Sequence, residues 1–289
     1  MKAKYFTRII LCLLICGLFY GIGISSVINK HFPFNLVNDF FIQNSPNKFK
    51  YGGRNFNFNF YTEKEVIVTN KTAVYLTYGQ SNSVNGGELG YINTDNVFQF
   101  LLGSTYIYKD PSLGGTGLGA SVWGRLGDKL IENKINDNVI FSNSGWNSKS
   151  IKDLKTSHFF EFLIQNYKGL VKKYGRVDAI LFHQGEADYS SQGVYEYYDH
   201  FIEFYQNLKD EGIQIPIYLS RASICGENSN SNENLIKIQN LLIKNFDLIK
   251  DGPNTDLLLK KEYRLADYCH FSDKGLNEFS KMWFESLTK

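Results

Sequence analysis

The chain has almost no net charge, and it lacks the residue spacings typical of metal and nucleotide sites. Its 31 basic and 29 acidic residues leave a net charge of +2 without a basic stripe, which argues against nucleic-acid binding. No C-x-x-C or H-E-x-x-H spacing occurs, so the pattern predicts no zinc site. The glycine-rich residues 114–119 follow Pro111 rather than a clear strand, which argues against a phosphate-binding loop. We therefore expect no bound metal, cofactor or nucleic acid.

One long uncharged run lies near the amino terminus, at residues 9–28. A helix of that length spans about 30 Å, the thickness of the hydrocarbon core of a bilayer. Lys2, Lys4 and Arg8 precede the run, so the positive-inside rule keeps residues 1–8 in the cytoplasm and exports the rest. We expect a signal anchor, with the remaining chain in the periplasm or outside the cell. A cleaved signal peptide followed by secretion is the competing interpretation.

The rest of the chain has the composition of an ordinary globular protein, with 43% hydrophobic and 21% charged residues overall. We divide it into a juxtamembrane segment at residues 29–70 and a single domain at residues 71–289. Strands are predicted at residues 73–78, 138–142, 177–182, 215–220 and 257–259, and helices at residues 120–134, 159–174, 195–211, 233–245 and 274–287. This alternation predicts an α/β fold with a mainly parallel sheet and helices on both faces.

A polar turn interrupts the first predicted strand of the domain. Residues 73–78 are β-branched and aromatic, and Gly79-Gln80-Ser81-Asn82 follows them directly. Ser81 therefore lies just past the carboxyl end of a strand, where ligands bind in open α/β sheets. A serine hydroxyl becomes an effective nucleophile only when a nearby base takes its proton.

A candidate for that base lies near the carboxyl terminus. Of the five histidines, only His270 has a carboxylate three residues earlier, Asp267. Such a carboxylate can accept a hydrogen bond from one ring nitrogen while the other faces a serine, as in a catalytic triad. A polar turn without chemistry, leading into the last helix, is the alternative interpretation.

A third polar cluster, His183-Gln184-Gly185-Glu186-Ala187-Asp188, follows the strand predicted at residues 177–182. Together, G-Q-S-N, H-Q-G-E-A-D and D-x-x-H-F-S resemble the SGNH (GDSL-like) hydrolase superfamily, and within it the sialate O-acetylesterase-like carbohydrate esterases. The resemblance covers roughly residues 72–287. It implies a three-layer α/β/α sandwich with a flavodoxin-like sheet.

The resemblance also implies an activity and a role for each site residue. It makes Ser81 the nucleophile of an esterase that removes O-acetyl groups from a carbohydrate, with Asp267 and His270 completing the triad. The backbone N–H groups of Ser81 and Gly145 and the side-chain amide of Gln184 would bind the oxyanion.

Two further residues of the third cluster receive supporting roles from the resemblance. His183 and Glu186 would hold their loop and Gln184 by hydrogen bonds. Binding of a metal by His183, Glu186 and Asp188 is the alternative, and Glu186 could also replace Asp267 as the partner of His270.

Alternatives remain for the function as a whole. A glycan O-acetyltransferase would use the same acyl-serine and pass the acyl group to a sugar hydroxyl. A catalytically silent glycan-binding protein would keep only the fold, and a lipase would need an apolar lid, which is not obvious.

The four cysteines fall into two groups. Cys12 and Cys16 lie in the uncharged run and serve there as apolar residues. Cys225 follows a predicted strand and Cys269 precedes His270, and in an exported domain these two could form a disulfide. Two unpaired cysteines are the alternative, because pairing cannot be read from sequence.

Overall fold

The computed structural model describes residues 16–17, 19–23, 53–226 and 230–289. The chain divides into two compact units, Met1–Gly53 and Arg54–Lys289. In the first unit, residues 16–17 and 19–23 are helical, and the rest of the predicted anchor at residues 9–28 lies outside the described residues. Among the helices of the described ranges, none is both long and apolar enough to span a bilayer.

The second unit alternates strands and helices along the chain. Its strands are β1 (Thr72–Gly79), β2 (Val97–Leu101), β3 (Ser104–Ile107), β4 (Asn138–Asn143), β5 (Ala179–His183), β6 (Ile217–Arg221) and β7 (Ile249–Asn254). Its α-helices are α1 (Trp123–Glu132), α2 (Ile151–Leu154), α3 (Ser157–Tyr174), α4 (Ser191–Asp210), α5 (Glu233–Asn245) and α6 (Asp273–Leu287).

The strands form one sheet in the order β3-β2-β4-β1-β5-β6-β7. All neighbouring pairs are parallel except β2 and β3, which form an antiparallel hairpin at one edge. Within this sheet, the five strands β4-β1-β5-β6-β7 have the flavodoxin-like order, so the predicted fold class is confirmed.

Apolar side chains cover both faces of the sheet. Along β1, Val74, Leu76 and Tyr78 belong to one buried cluster, whereas Ala73 and Tyr75 belong to the other. The first cluster includes residues of α2, α3, α4 and α5, and the second includes residues of α1 and α6. Because side chains alternate across a strand, this division produces the three-layer sandwich.

Two strand predictions differ from the structure. The prediction of a last strand at residues 257–259 is wrong: Thr255–Leu257 forms a 3-10 helix, and Leu257 and Leu259 are exposed. The strand is β7, whose sequence IKDGPN is poor in strand-forming residues and is tolerated at a sheet edge, where proline costs no ladder hydrogen bond. Strand β2 corresponds to none of the strands predicted from the sequence.

The sheet topology identifies where a ligand can enter. After β1 the chain passes through β2, β3 and β4 on one side and then crosses to β5 on the other, so the strand order reverses around β1. In open α/β sheets the crevice beyond the carboxyl ends of such strands is the usual ligand site. The turns after β1 and β5 both lie at this crevice.

Candidate active site

Strand β1 ends in close contact with β5. Gly79 has φ +135°, and a Cβ built on it would lie 1.8 Å from the carbonyl oxygen of His183, so only glycine fits there. The N–H of Gln80 donates to the same carbonyl at 3.0 Å. The next residues, Ser81–Ser83, form a buried 3-10 helix. The backbone N–H of Ser81 donates no hydrogen bond among the described residues, as expected for the first residue of a helix.

Asp267 contacts both the ring and the backbone of His270. Its Oδ2 lies 2.6 Å from Nδ1 of His270, and its Oδ1 accepts from the backbone N–H groups of Cys269 and His270 at 2.9 and 3.0 Å. Burial acts to raise the pKa of Asp267, but these hydrogen bonds outweigh it and lower the pKa. The ring is thereby oriented through Nδ1, and Nε2 remains available to act as a base.

The structure brings the Ser81 turn and His270 to the same glycine. A Cβ built on Gly86 would lie 2.6 Å from the carbonyl oxygen of Ser81 and 2.8 Å from Cδ2 of His270. The neighbouring Asn82 donates to the carbonyl of Cys269 at 3.1 Å. The hydrogen bonds of the described residues do not include one between Ser81 and His270; such bonds often tighten only when substrate is bound.

Behind this pair lies a buried polar cluster formed by Asn82, His183, Glu186 and Ser220. Oε1 of Glu186 accepts from Asn82 at 2.8 Å and lies 2.9 Å from Nε2 of His183, whose Nδ1 is 2.8 Å from Ser220 Oγ. Burial acts to raise the pKa of Glu186, but His183 and the hydrogen bonds of both neighbours outweigh it and lower the pKa to about 2. The cluster links β5, β6 and the Ser81 turn.

Gln184 is fully buried beside this cluster. Its side-chain nitrogen lies 3.2 Å from Gln80 Oε1 and 3.2 Å from the carbonyl of Lys149, and it donates to Asp188. Burial raises the pKa of Asp188 to about 6, against the hydrogen bonds from Gln184 and the Ile151 N–H. The side-chain oxygen of Gln184, Oε1, has no hydrogen-bond partner among the described residues.

Gly145 lies in the turn after β4 and packs against the Ser81 turn. A Cβ there would lie 2.6 Å from Val84 Cγ1 and 2.9 Å from the carbonyl of Gly79. Its N–H faces Oδ1 of Asn143 at 3.3 Å. The next residue, Trp146, donates its N–H to Gly79 at 2.9 Å, so this turn and the end of β1 form one unit.

The sequence did not indicate a role for Arg54, whose guanidinium bonds the carbonyl groups of the Gly145 turn. Its Nη1 donates to the carbonyls of Gly114, Ser144 and Gly145 at 2.8, 3.0 and 2.8 Å. Burial lowers the pKa of its guanidinium, and within the described chain it forms no ion pair. No local pattern indicated this role, because Arg54 lies in the segment assigned to the juxtamembrane region. Asn82 was part of a quoted motif, but its contacts depend on residues distant in sequence.

A disulfide connects two loops near the candidate site. Cys225 and Cys269 form it with an S–S distance of 2.06 Å, which ties the loop after β6 to the residue before His270.

Over the part of the chain that the structure describes, no group of three or more His, Cys, Asp or Glu residues could hold a metal ion.

Comparisons with known proteins agree with this fold. The family model described as carbohydrate esterase, sialic acid-specific acetylesterase matches residues 133–289, which include Gln184 and His270 but not Ser81. No curated protein sequence matches the chain significantly.

Solved structures resemble the chain at low sequence identity. A protein from Arabidopsis thaliana is 12% identical, with a TM-score of 0.62 over 74% of this chain and 96% of its own. NanS is 14% identical, with a TM-score of 0.53 over 76% of this chain and 98% of its own. At this identity the likeness concerns the fold, whereas the family match covers more than half of the chain. The chain therefore belongs to the sialic acid-specific acetylesterase family of carbohydrate esterases, and it is a carboxylic ester hydrolase with the SGNH fold.

Proposed function

We propose that the protein removes O-acetyl groups from a carbohydrate, a sialic acid or a glycan of the cell envelope or capsule, through an acyl-serine on Ser81. The observation that carries this proposal is the meeting of the Ser81 turn and the Asp267-oriented His270 at Gly86. A serine needs an oriented imidazole within reach for its proton, and the approach of both groups to Gly86 supports this pairing.

In the proposed reaction, Oγ of Ser81 forms a bond to the ester carbonyl carbon while its proton passes to Nε2 of His270. The tetrahedral intermediate collapses, the bond to the sugar oxygen breaks, and His270 returns the proton to that oxygen. Water then attacks the carbonyl carbon of acetyl-Ser81 while its proton passes to His270, the bond between that carbon and Oγ breaks, and His270 returns the proton to Oγ as acetate leaves. Asp267 keeps the ring in the required tautomer.

The oxyanion of the intermediate needs hydrogen-bond donors. The backbone N–H of Ser81 makes no hydrogen bond among the described residues, and it is the first proposed donor. The N–H of Gly145 and the amide of Gln184 are the proposed others, although each would exchange a present partner, Asn143 or Asp188, for the substrate. If Gln184 is such a donor, Gln184→Ala should lower kcat about a hundredfold to a thousandfold, in addition to any loss of stability from its buried hydrogen bonds. A lower melting temperature with little loss of kcat would instead assign Gln184 to loop support.

The deciding experiment measures acetate release from O-acetylated sialic acids, acetylated xylo-oligosaccharides and acetylated peptidoglycan fragments. Ser81→Ala should lose at least about a thousandfold in rate, and Asp267→Asn a hundredfold or more. Ser83→Ala, two residues along the same turn, is the matched control and should stay active. Ser81→Ala with wild-type activity would overturn the proposal, and Asp267→Asn with wild-type activity would transfer the orienting role to Glu186. Product that forms only with a sugar acceptor would favour O-acetyl transfer.

We also propose that residues 9–28 anchor the protein in a membrane, with the catalytic domain outside the cytoplasm. The uncharged run, the preceding Lys2, Lys4 and Arg8, and the disulfide in the domain support this location, since disulfides persist in oxidising compartments. A carboxyl-terminal fusion to a reporter active only outside the cytoplasm tests it. An inactive reporter would contradict export, and a processed amino terminus would favour a cleaved signal peptide over an anchor.

A further inference from the structure

A groove runs over the surface of the second unit. It consists of two depressions of about 670 and 260 Å³ that share Phe60, Tyr61, Lys109 and Asp110 as lining residues. The residues 89–93 form the opposite wall of the larger depression, and Leu118 closes the smaller one. The larger volume lies in the range of sites that bind small organic ligands.

The lining combines exposed apolar surface with charged groups. Phe60 is 67% exposed, and Ile92 and Leu118 are 88% and 86% exposed, which is unusual for three large apolar side chains around one groove. Lys109 lies among them, and its ammonium forms no ion pair or hydrogen bond within the described chain, whereas the carboxyl group of Asp110 already accepts from the Ser121 N–H and the Tyr108 hydroxyl. A groove for lipid chains would not carry an unpaired ammonium, whereas sugars present both apolar C–H faces and hydroxyl groups.

Hydrogen bonds fix the tyrosines of the groove in place. The hydroxyl of Tyr61 donates to the carbonyl of Pro111 at 2.5 Å and accepts from Asn55 at 2.6 Å. On the opposite wall, Tyr91 donates to Asp128 at 2.8 Å. Rings held in this way lose little conformational entropy when a ligand stacks on them, which favours binding.

Two loops connect the lining of the groove with the candidate catalytic residues. Gly86, which touches both the Ser81 carbonyl and His270, is three residues before Leu89 in the groove wall. Leu118 lies between Gly117 and Gly119, and a Cβ on either would contact the carbonyl of Asn85, the residue before Gly86. The lining of the groove is therefore joined to the Ser81 turn through Asn85 and Gly86.

We infer that this groove binds the sugar units next to the O-acetylated one, so that the protein acts on oligosaccharide chains rather than on single sugars. The inference rests on the proposed function, because it places the remainder of that substrate. Stacking of sugar rings on Phe60 and Tyr61, with hydroxyl groups bonded to Lys109, is the expected mode of binding.

The test compares monosaccharide and oligosaccharide forms of whichever glycan of the panel is deacetylated fastest, with p-nitrophenyl acetate as a substrate that cannot fill the groove. For the wild type, kcat/KM should rise about tenfold or more with chain length. Phe60→Ala should lower kcat/KM for the oligosaccharide roughly three- to tenfold, mainly through KM, and leave p-nitrophenyl acetate unchanged. Tyr195→Ala removes a similarly exposed aromatic ring, 80% exposed on α4, and should change neither.

The outcomes separate the two proposals. Equal kcat/KM for monosaccharide and oligosaccharide, or a Phe60→Ala variant that behaves like the wild type on both, would overturn the groove inference while leaving the esterase intact. A Phe60→Ala variant that loses p-nitrophenyl acetate activity to the same extent would also overturn it, since the residue would then act on the whole site. Ser81→Ala that still releases acetate would instead overturn the proposed function.

Discussion

The side-chain amide of Asn82 donates a 3.1 Å hydrogen bond to the backbone carbonyl of Cys269, across 187 residues of sequence. Asn82 follows the candidate nucleophile, Ser81, and Cys269 precedes the candidate base, His270. The same amide donates to Glu186 at 2.8 Å, so one side chain connects the loops after β1 and β5 with the loop before α6. The distance between Ser81 and His270 is thus controlled by a residue that needs no contact with substrate.

Replacement of Asn82 tests this connection. Asn82→Ala removes both hydrogen bonds and leaves Glu186 and the Cys269 carbonyl with one donor fewer, which should destabilise the fold by about 1 to 3 kcal/mol. We expect kcat for p-nitrophenyl acetate to fall more than KM changes. Asn207→Ala is the control, since Asn207 also bonds a carbonyl, that of Lys155, but away from the site. Equal kinetics for the two variants would contradict the connection.

The disulfide between Cys225 and Cys269 closes a chain segment with a sequence separation of 44. In the chain-entropy view, such a crosslink contributes about 4 kcal/mol by restricting the unfolded chain. The double variant Cys225→Ser/Cys269→Ser should therefore melt roughly 10 °C lower, and the looser His270 loop should reduce activity. Thermal denaturation with and without a reductant measures this, with Cys16→Ser, a free exposed cysteine, as control. An unchanged melting temperature would show that the bridge does not stabilise the native domain.

Arg54 makes a further prediction, because one guanidinium nitrogen serves three carbonyls in two loops. Lysine keeps the charge but cannot reproduce the planar, branched donor geometry, so Arg54→Lys should leave buried carbonyls unpaired. We expect a loss of stability of about 2 kcal/mol and a lower kcat, since the Gly145 turn shifts. Arg176→Lys, at the opposite end of the sheet near Thr72, is the matched control. Urea denaturation measures the stability of each variant, and p-nitrophenyl acetate hydrolysis measures its kcat. Equal stability and equal kcat for Arg54→Lys and Arg176→Lys would contradict the role of Arg54 in holding the Gly145 turn.

The acid sensitivity of the fold follows from Glu186. Its pKa is lowered in the folded state from 4.5 to about 2, so the folded protein holds fewer protons than the unfolded chain in this range. The stabilisation from this carboxylate is complete above about pH 4.5 and is lost as the pH falls toward 2. In Glu186→Gln the acid-induced decline in melting temperature between pH 5 and 2 should be shallower than in the wild type. Glu161→Gln, an exposed carboxylate on α3, should keep the wild-type slope, and identical slopes for both variants would refute the prediction.

Much of the architecture could be predicted from local patterns. The strands β1, β4 and β5 each contain a run of β-branched and other apolar residues and are almost wholly buried, and such runs are recognisable without knowledge of their neighbours. By contrast, β7 contains lysine, aspartate, glycine and proline, and it is a strand only because β6 offers its edge for pairing. Local propensity is a poor guide wherever tertiary pairing decides the conformation.

Within the candidate site, the same division holds. The pairing of Asp267 with His270 depends on residues three apart in one turn, so spacing alone predicted the contact that the structure contains. The pairing of Cys225 with Cys269 was left open by the sequence, and the bond exists because two separate loops meet at the edge of the sheet.

The amino-acid sequence by itself determined the α/β alternation, the family and the polar turns that follow β1 and β5, because each depends on residues close together along the chain. Only the tertiary structure decided how Asn82 and Arg54 join those turns, and that Phe60 and Tyr61 line a groove. The reason is physical: a buried hydrogen bond or a cavity is a property of segments brought together from distant positions, and no local pattern contains their separation in space.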